Sequence, residues 1–212
     1  MRHLIVVLGD QLDRRSAAFD DFDARVDRVW MAEVAHESTK VWSSKPRIAL
    51  FLAAMRHFAA ALRAEGATLE YQPLDAVPQA VASLEAALAR SIATLQPEAV
   101  ILVEPGEWSV RERLRAALEA AGCRWDMRPD RHFLCTHEAF AAHARSRRQL
   151  RMEFFYREMR RAQCVLLDPG GGPEGGEWNY DAENRASFGR GGPAALDPPP
   201  DAPRAFPPDA RP

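Results

Sequence analysis

The sequence predicts an α/β domain: an open parallel sheet of about five strands with helices on both faces, followed by a disordered Gly/Pro-rich tail. Two observations carry that prediction. Across residues 1–168, apolar runs of strand length alternate with stretches whose apolar residues recur at helical spacing. Such alternation joins parallel strands through crossover helices, which cover both faces of the sheet. The composition then changes: eight of the 12 glycines lie after position 169 and ten of the 16 prolines after position 168, too little apolar surface to offset the entropy of ordering that stretch.

Residues 4–8 are a continuous apolar run of strand length, and residues 28–34 form a second candidate strand. Residues 10–27 between them are polar and loop-like. A helix is expected over 46–64, with Ile48, Phe51, Leu52, Met55, Phe58 and Leu62 on one face, Ser43 or Ser44 as its cap and Gly66 at its end. Residues 68–72 alternate like a strand. Val81, Leu84, Leu88, Ile92 and Leu95 mark a second amphipathic helix that Pro97 stops. Residues 99–103 form a strand free of charge until Glu104. A third helix over 107–121 carries Val110, Leu114 and Leu118 and ends at Gly122, and residues 124–127 supply a fifth strand. Residues 138–163 read as helical but less regular.

Domain organisation follows from these patterns: an α/β domain over 1–168, then a linker or tail over 169–212 leading toward a second domain that this sequence lacks. A net charge of -2 gives no global attraction to nucleic acid or anionic membrane. No apolar run approaches the roughly 20 residues that span a bilayer. The apolar stretch after Met1-Arg2-His3 is too short for a signal peptide and runs straight into Gly9-Asp10, so a cytoplasmic protein is expected. Cys123, Cys135 and Cys164 are odd in number and form no CxxC pair, which leaves them as thiols in a reducing compartment.

Ligands of open parallel sheets bind beyond the carboxyl ends of the strands. Three strand ends here carry polar groups: Gly9, Asp10 and Gln11 after the first, Glu33 and Glu37 after the second, Glu104 to Trp108 after the fourth. Carboxylates and an amide on adjacent tips suit hydrogen bonding to a heterocycle or a ribityl chain. They suit phosphate poorly, because like charges repel and neither GxGxxG nor GxxxxGK[ST] is present. The same residues also suit solvated loops and helix caps. Residues 145–161 gather Arg145, Arg147, Arg148, Arg151, Arg157, Arg160 and Arg161 around Phe154, Phe155 and Tyr156. That run fits either a nucleic-acid surface or a helix with a solvated basic face and a buried aromatic one. No serine has a nucleophile-elbow context and the six histidines show no metal-ligand spacing, so no catalytic residue and no metal site is expected.

Six ordered blocks carry a family resemblance: Leu8-Gly9-Asp10-Gln11-Leu12; Met31-Ala32-Glu33-Val34; Lys45 with Ala54-Met55-Arg56-His57-Phe58; Glu104-Pro105-Gly106-Glu107-Trp108; Arg151-Met152-Glu153-Phe154-Phe155-Tyr156-Arg157; and Trp178-Asn179-Tyr180-Asp181-Ala182-Glu183-Asn184-Arg185. Over about residues 3–188 the chain resembles the amino-terminal antenna domain of the prokaryotic iron–sulfur photolyase/cryptochrome family, the deoxyribodipyrimidine photolyase-related proteins. The resemblance implies a Rossmann-like domain that holds an antenna chromophore, 6,7-dimethyl-8-ribityllumazine, and passes light energy to FAD. It implies that FAD, a 4Fe-4S cluster and the DNA-lesion site lie in a helical carboxyl-terminal domain, missing here or separately encoded, which would be this chain's partner. DNA would then be met only indirectly, and the chain would be a light-harvesting domain of a DNA photorepair lyase, not catalytic by itself. Gly9, Asp10, Gln11, Glu33, Glu37 and Glu104 become the expected chromophore contacts. The alternative is a free-standing module that binds a nucleotide, a flavin-like ligand or a protein without any light role.

Overall fold

The structure is a computed structural model that describes residues 1–41, 43–75 and 83–181. Five strands, β1 (His3–Val6), β2 (Arg28–Ala32), β3 (Leu69–Gln72), β4 (Ala99–Val103) and β5 (Arg124–Arg128), form one all-parallel sheet in the order β3-β2-β1-β4-β5. The chain starts in the middle of the sheet, builds outward to β3, then returns to lay β4 on the other side of β1. In such a sheet the connections leave in opposite directions from β1 and β4, which opens a crevice beyond their carboxyl ends.

Alternate residues of each strand face opposite layers, as the two-residue period of a strand requires. Leu4, Val6, Trp30, Val100 and Leu102 pack on one side with residues of α3 (Leu84–Leu95) and α4 (Trp108–Ala121). Ile5, Val29, Met31, Ile101 and Val103 pack on the other with α2 (Lys45–Ala64) and the 3-10 turn Ala17–Phe19. Because both faces are covered, the central strands read as unbroken apolar runs. One polar pairing is buried between layers: the Trp30 indole Nε1 donates to Ser91 Oγ at 2.9 Å, and Gln72 Nε2 donates to the same oxygen at 2.8 Å.

The elements stand where the residue pattern put them, with shifts at the ends. The first strand closes at Val6, while Val7 and Leu8 continue, buried, into the crevice loop. Helix α2 begins at Lys45 with Ser44 at its cap position, yet no side-chain cap bond forms there; Pro46 in its first turn fixes the backbone instead. Ser83 caps α3 through Ala86 N–H, and the Val81 assigned to that helix lies outside the described residues. Gly66 and Gly122 take φ +89° and +63°, the left-handed conformation expected at a helix end. The loop-like stretch after β1 also contains the 3-10 turn, capped by Ser16.

Residues Met1–His132 make one compact unit, and the described residues from Phe133 to Asp181 belong to a second. The irregular helical region of the second unit resolves into α5 (His137–Ala144) and α6 (Met152–Gln163). Phe155 packs edge-on to Phe140 at 5.1 Å and against His143 at 4.7 Å, and His143 Nδ1 lies 2.7 Å from Glu158 Oε2. Part of the expected tail is ordered against α6. The Asp168 carboxylate accepts from Gly172 N–H at 2.8 Å, Leu167 bridges Pro173, and the Trp178 ring lies 5.8, 5.0 and 4.6 Å from the guanidinium carbons of Arg157, Arg160 and Arg161. Stacked guanidinium groups on an indole face give this glycine-rich turn the partner that its composition alone did not reveal. The tail over 182–212 lies outside the described residues. No helix of the described residues is long and apolar enough to cross a membrane.

Candidate functional site

The crevice beyond β1 and β4 is a cleft of about 340 Å³, within the size range of small-molecule sites. Leu8, Gly9 and Asp10 line it from β1, Ala32, Glu33 and Val34 from β2, and Pro105 and Glu107 from β4. The remaining wall comes from the first turns of α2. Helix α2 has 20 residues while the strands have four or five. At 1.5 Å per helical residue and about 3.3 Å per strand residue, the helix overshoots the sheet by a couple of turns. Its apolar stripe therefore does two jobs: Met55, Ala59 and Leu62 are buried in the core, whereas Ile48, Phe51 and Leu52 stand over the cleft.

Gly9 is closely packed by side chains of α2. A Cβ on it would sit 2.6 Å from Phe51 Cε1 and 2.8 Å from Met55 Sδ, inside van der Waals contact. The absence of a side chain lets the Phe51 ring lie on the strand tip. Phe51, Arg47, Gly9 and Asp10 also line a wider groove of about 990 Å³, so these residues form the wall shared by two hollows.

The six residues expected to meet a ligand fall into distinct places. Gly9, Asp10, Glu33 and Glu37 line the cleft. Gln11 turns away, its Nε2 donating to Glu104 O at 3.0 Å, and lines the wider groove. The Glu104 side chain does not line the cleft; its Oε1 lies 2.8 Å from Arg111 Nε. Glu33 is fully engaged by protein. Arg56 Nε and Nη2 donate to its two oxygens at 2.7 and 2.9 Å, Leu74 N–H donates at 2.9 Å, and the Tyr71 hydroxyl supplies a fourth bond. Four donors fill the lone-pair sites of a carboxylate, so Glu33 holds the wall and has none left for a ligand. Burial alone would raise its pKa; Arg56, Tyr71 and Leu74 outweigh that and hold it below the usual value. Burial, and then the Glu33 charge, push the Tyr71 hydroxyl well above its ordinary value.

Other cleft charges are compensated. Glu37 meets Arg113 Nη2 at 3.1 Å, and Glu107 pairs with Lys40 and Ser109, which hold its pKa down. Two are not. Among the described residues Asp10 and Arg47 have no partner of opposite charge, and both line both hollows. Desolvation, then the neighbouring Asp130, Glu37 and Glu107 carboxylates, raise the Asp10 pKa above the usual range. Asp10, exposed at the strand tip, thus offers an acceptor when ionised and a donor when protonated, and the exposed Arg47 guanidinium lining the same cleft only donates. Ile48, Phe51, Leu52 and Val110 add apolar lining to the same cleft, a combination that suits a flat ring bearing polar edges or hydroxyls.

Residue patterns missed Arg47, Ile48, Phe51 and Leu52 as site residues, because a helical apolar stripe is assigned to the core by default. The signal that could have found them is length: the stripe of α2 extends past what four-residue strands can cover. Among the described residues no three His, Cys, Asp or Glu side chains gather where a metal could sit, and Cys123, Cys135 and Cys164 are free. In the basic run from Arg145 to Arg161 the aromatic residues do not share one buried face. Arg157 pairs with Glu153 and stacks with Trp178, and Phe155 is buried, but Phe154 and Tyr156 on the same helix are exposed.

Comparison with known proteins gives the lineage. The family of deoxyribodipyrimidine photo-lyase-related proteins matches residues 5–211, and the chain belongs to that family. It is similar to a (6-4) photolyase of Agrobacterium fabrum (strain C58 / ATCC 33970), 42% identical over 185 residues, which are 87% of this chain and 36% of the relative. The chain therefore spans about a third of the length of that relative.

Proposed function

With membership of the photolyase-related family as the premise, we propose that the Met1–His132 unit is a light-collecting module. It would hold a near-ultraviolet-absorbing heterocycle with a polyhydroxylated side chain, of the 6,7-dimethyl-8-ribityllumazine type, in the strand-tip cleft. The observation that carries this reading is a strand-tip cleft of about 340 Å³ whose lining combines Asp10 and Arg47, without a partner of opposite charge among the described residues, with the apolar Ile48, Phe51, Leu52 and Val110. Ring burial on Ile48, Phe51, Leu52 and Val110 supplies affinity, and the polar pair sets orientation. When bound, such a chromophore supplies absorption and excitation transfer to a flavin acceptor. This chain's residues bind it, fix its angle and exclude water from one face. The acceptor FAD, an iron–sulfur cluster and the DNA-lesion site belong, in this reading, to further polypeptide of the kind that makes up the rest of the relative. Repair chemistry is accordingly assigned outside these residues.

The experiment is an absorption spectrum of the freshly purified chain, with mass spectrometry of what heat releases. A near-stoichiometric ribityllumazine-type compound, lost at least tenfold in occupancy in Asp10→Ala and Arg47→Ala, is the expected result. A colourless, folded chain that also fails to bind added ribityllumazine would overturn the reading, as would unaided repair of ultraviolet-damaged DNA by the chain in light.

A further inference from the structure

The connector from β2 to α2 runs along one rim of the cleft as the short helix α1 (Ala35–Thr39), and its Glu37 and the later Ser43 line the cleft. None of the described side chains of α1 is buried, and the cap position at Val34 makes no side-chain bond. A helix of five residues is far below the length that stands alone in water. The chain on either side is fixed, by the four bonds to Glu33 before it and by α2 after it. A weakly held element between two anchored ends is the kind of segment that opens locally.

Among the described residues, two ionic bridges join this connector to α4. Arg113 Nη2 donates to Glu37 Oε1 at 3.1 Å, and Nη1 lies 3.2 Å from His36 Nδ1. One residue past the helix, Lys40 donates to Glu107, which lines the cleft, and to Ser109 Oγ at 2.8 Å. Arg113 also faces a second carboxylate. Its Nε lies 3.9 Å from Oε2 of Glu85, in the first turn of α3. Both atoms are buried, and neither has a hydrogen-bond partner among the described residues. A buried donor and a buried acceptor left unbonded just beyond reach of each other are costly, and joining them recovers that cost. The guanidinium is a rigid planar fork, so drawing Nε onto Glu85 shifts Nη1 and Nη2 relative to α1.

We propose that residues 35–41 form a lid on the cleft, latched by Arg113 and Lys40, and that Glu85 receives Arg113 when the lid opens. Closed, the lid holds the bridges to Glu37 and Glu107 but leaves Arg113 Nε and Glu85 Oε2 unbonded. Open, it loses the bridges and joins that pair. The two states differ by a small balance of polar contacts, which a ligand can tip. A ligand touching Glu37 and Glu107, both of which line the cleft, favours the closed state and leaves through the open one. The inference rests on the reading that the cleft holds a small ligand, and it makes the latch the control on how fast that ligand escapes. Because both bridges are partly exposed, salt weakens them.

The test uses the full 212-residue chain with Cys123, Cys135 and Cys164 replaced by serine. Spin labels are placed at Val41→Cys on the lid and Ala120→Cys on α4, both exposed positions. Pulsed electron resonance then reads the distance between lid and body in the ligand-free chain, and a main distance with a longer minor one is expected. An exposed ion pair shifts an equilibrium only a few-fold. Arg113→Met and Lys40→Met should therefore each enlarge the longer population about threefold to fivefold, whereas Glu85→Met should shrink it. Arg115→Met, which breaks pairs with Glu112 and Glu119 on the same helix, should leave it unchanged. Stopped-flow release of added 6,7-dimethyl-8-ribityllumazine should follow the same order, faster in Arg113→Met and Lys40→Met, slower in Glu85→Met, and accelerated by salt in the parent chain. Opposite signs at Arg113 and Glu85 are what a merely structural role does not produce. A single distance that none of these substitutions alters would overturn the inference, as would Glu85→Met acting in the same direction as Arg113→Met. If Arg113→Met does not fold, Lys40→Met against Glu85→Met carries the comparison. Responsive distances in a chain that binds no lumazine sink the light-collecting reading and leave the lid standing; bound lumazine with unresponsive distances does the reverse.

Discussion

The two units of this chain have nearly opposite relations between surface and interior. In Met1–His132 both faces of a five-stranded sheet are covered, and the central strands are buried along their length. In residues 133–181 two helices and a turn are held by arginine stacking, a His143–Glu158 contact and one buried ring. The contrast teaches that regular secondary structure is not evidence of a finished core. Helix α6 is well formed because Glu153 and Arg157 pair along it and Cys164 closes it in a left-handed conformation. Those local devices shape a helix of which only Phe155 and Arg160 are buried among the described residues.

The sharpest way to break the comparison is to remove an equally central group from each unit. Glu33→Ala deletes the acceptor of four bonds and leaves Arg56 without its carboxylate. By the usual cost of breaking a buried ion pair, about 3–5 kcal/mol, equilibrium denaturation should show most of the sheet unit's stability gone. Phe155→Ala removes a comparable volume, but the loss should be confined to its own unit. Amide exchange would accelerate through residues 137–163 and stay unchanged in β1, β2 and β4. Equal loss of protection across both units would show that the distinction is false.

A smaller effect is expected from Gly9→Val, which drives a branched side chain into Phe51 and Met55. Overpacking of this kind costs about 1–3 kcal/mol. Because Phe51 is partly exposed and can swing aside, the stability loss should fall at the low end while chromophore occupancy falls further. A parallel measurement of melting temperature and bound absorbance separates the two.

Smallest, and opposite in sign, is the effect of Asp10. Its folded-state pKa is raised, so the folded chain holds that proton more tightly than the unfolded chain does. The associated stability is present at low pH and is lost as pH rises through the raised value. Asp10→Asn should therefore raise the melting temperature slightly at neutral pH and flatten the acid side of the profile. Glu33 acts the other way: its pKa is lowered, so its contribution is present at neutral pH and is lost as pH falls through the folded-state value. A melting profile of Asp10→Asn parallel to the parent across that range would remove the charged-cleft argument.

Much of the sheet was legible in the residues because fully covered parallel strands read as unbroken apolar runs, as residues 4–8 and 99–103 do. The position of Gly9, Asp10 and Glu37 at the cleft was legible from their place after strands. Glu33 also lines the cleft, but the pattern cannot disclose that Arg56, Tyr71 and Leu74 converge on it from 23, 38 and 41 residues away. Arg47 was hidden because its value lies in lacking a partner, which only three dimensions reveal. Over 169–181 composition reports apolar content alone, so it could not disclose the guanidinium contacts of Trp178.

The engagement of Glu33 has a consequence for how a bound ring would look in light. Its four bonds tie the tip of β2 to α2, to β3 and to the turn at Leu74, so the wall of the cleft cannot drift without several breaking together. A pigment against that wall would meet nearly the same surroundings in every molecule. Its spectrum would be narrow and finely structured, its emission polarised and long-lived, and the line width would broaden toward the value in water when Glu33 is replaced by glutamine.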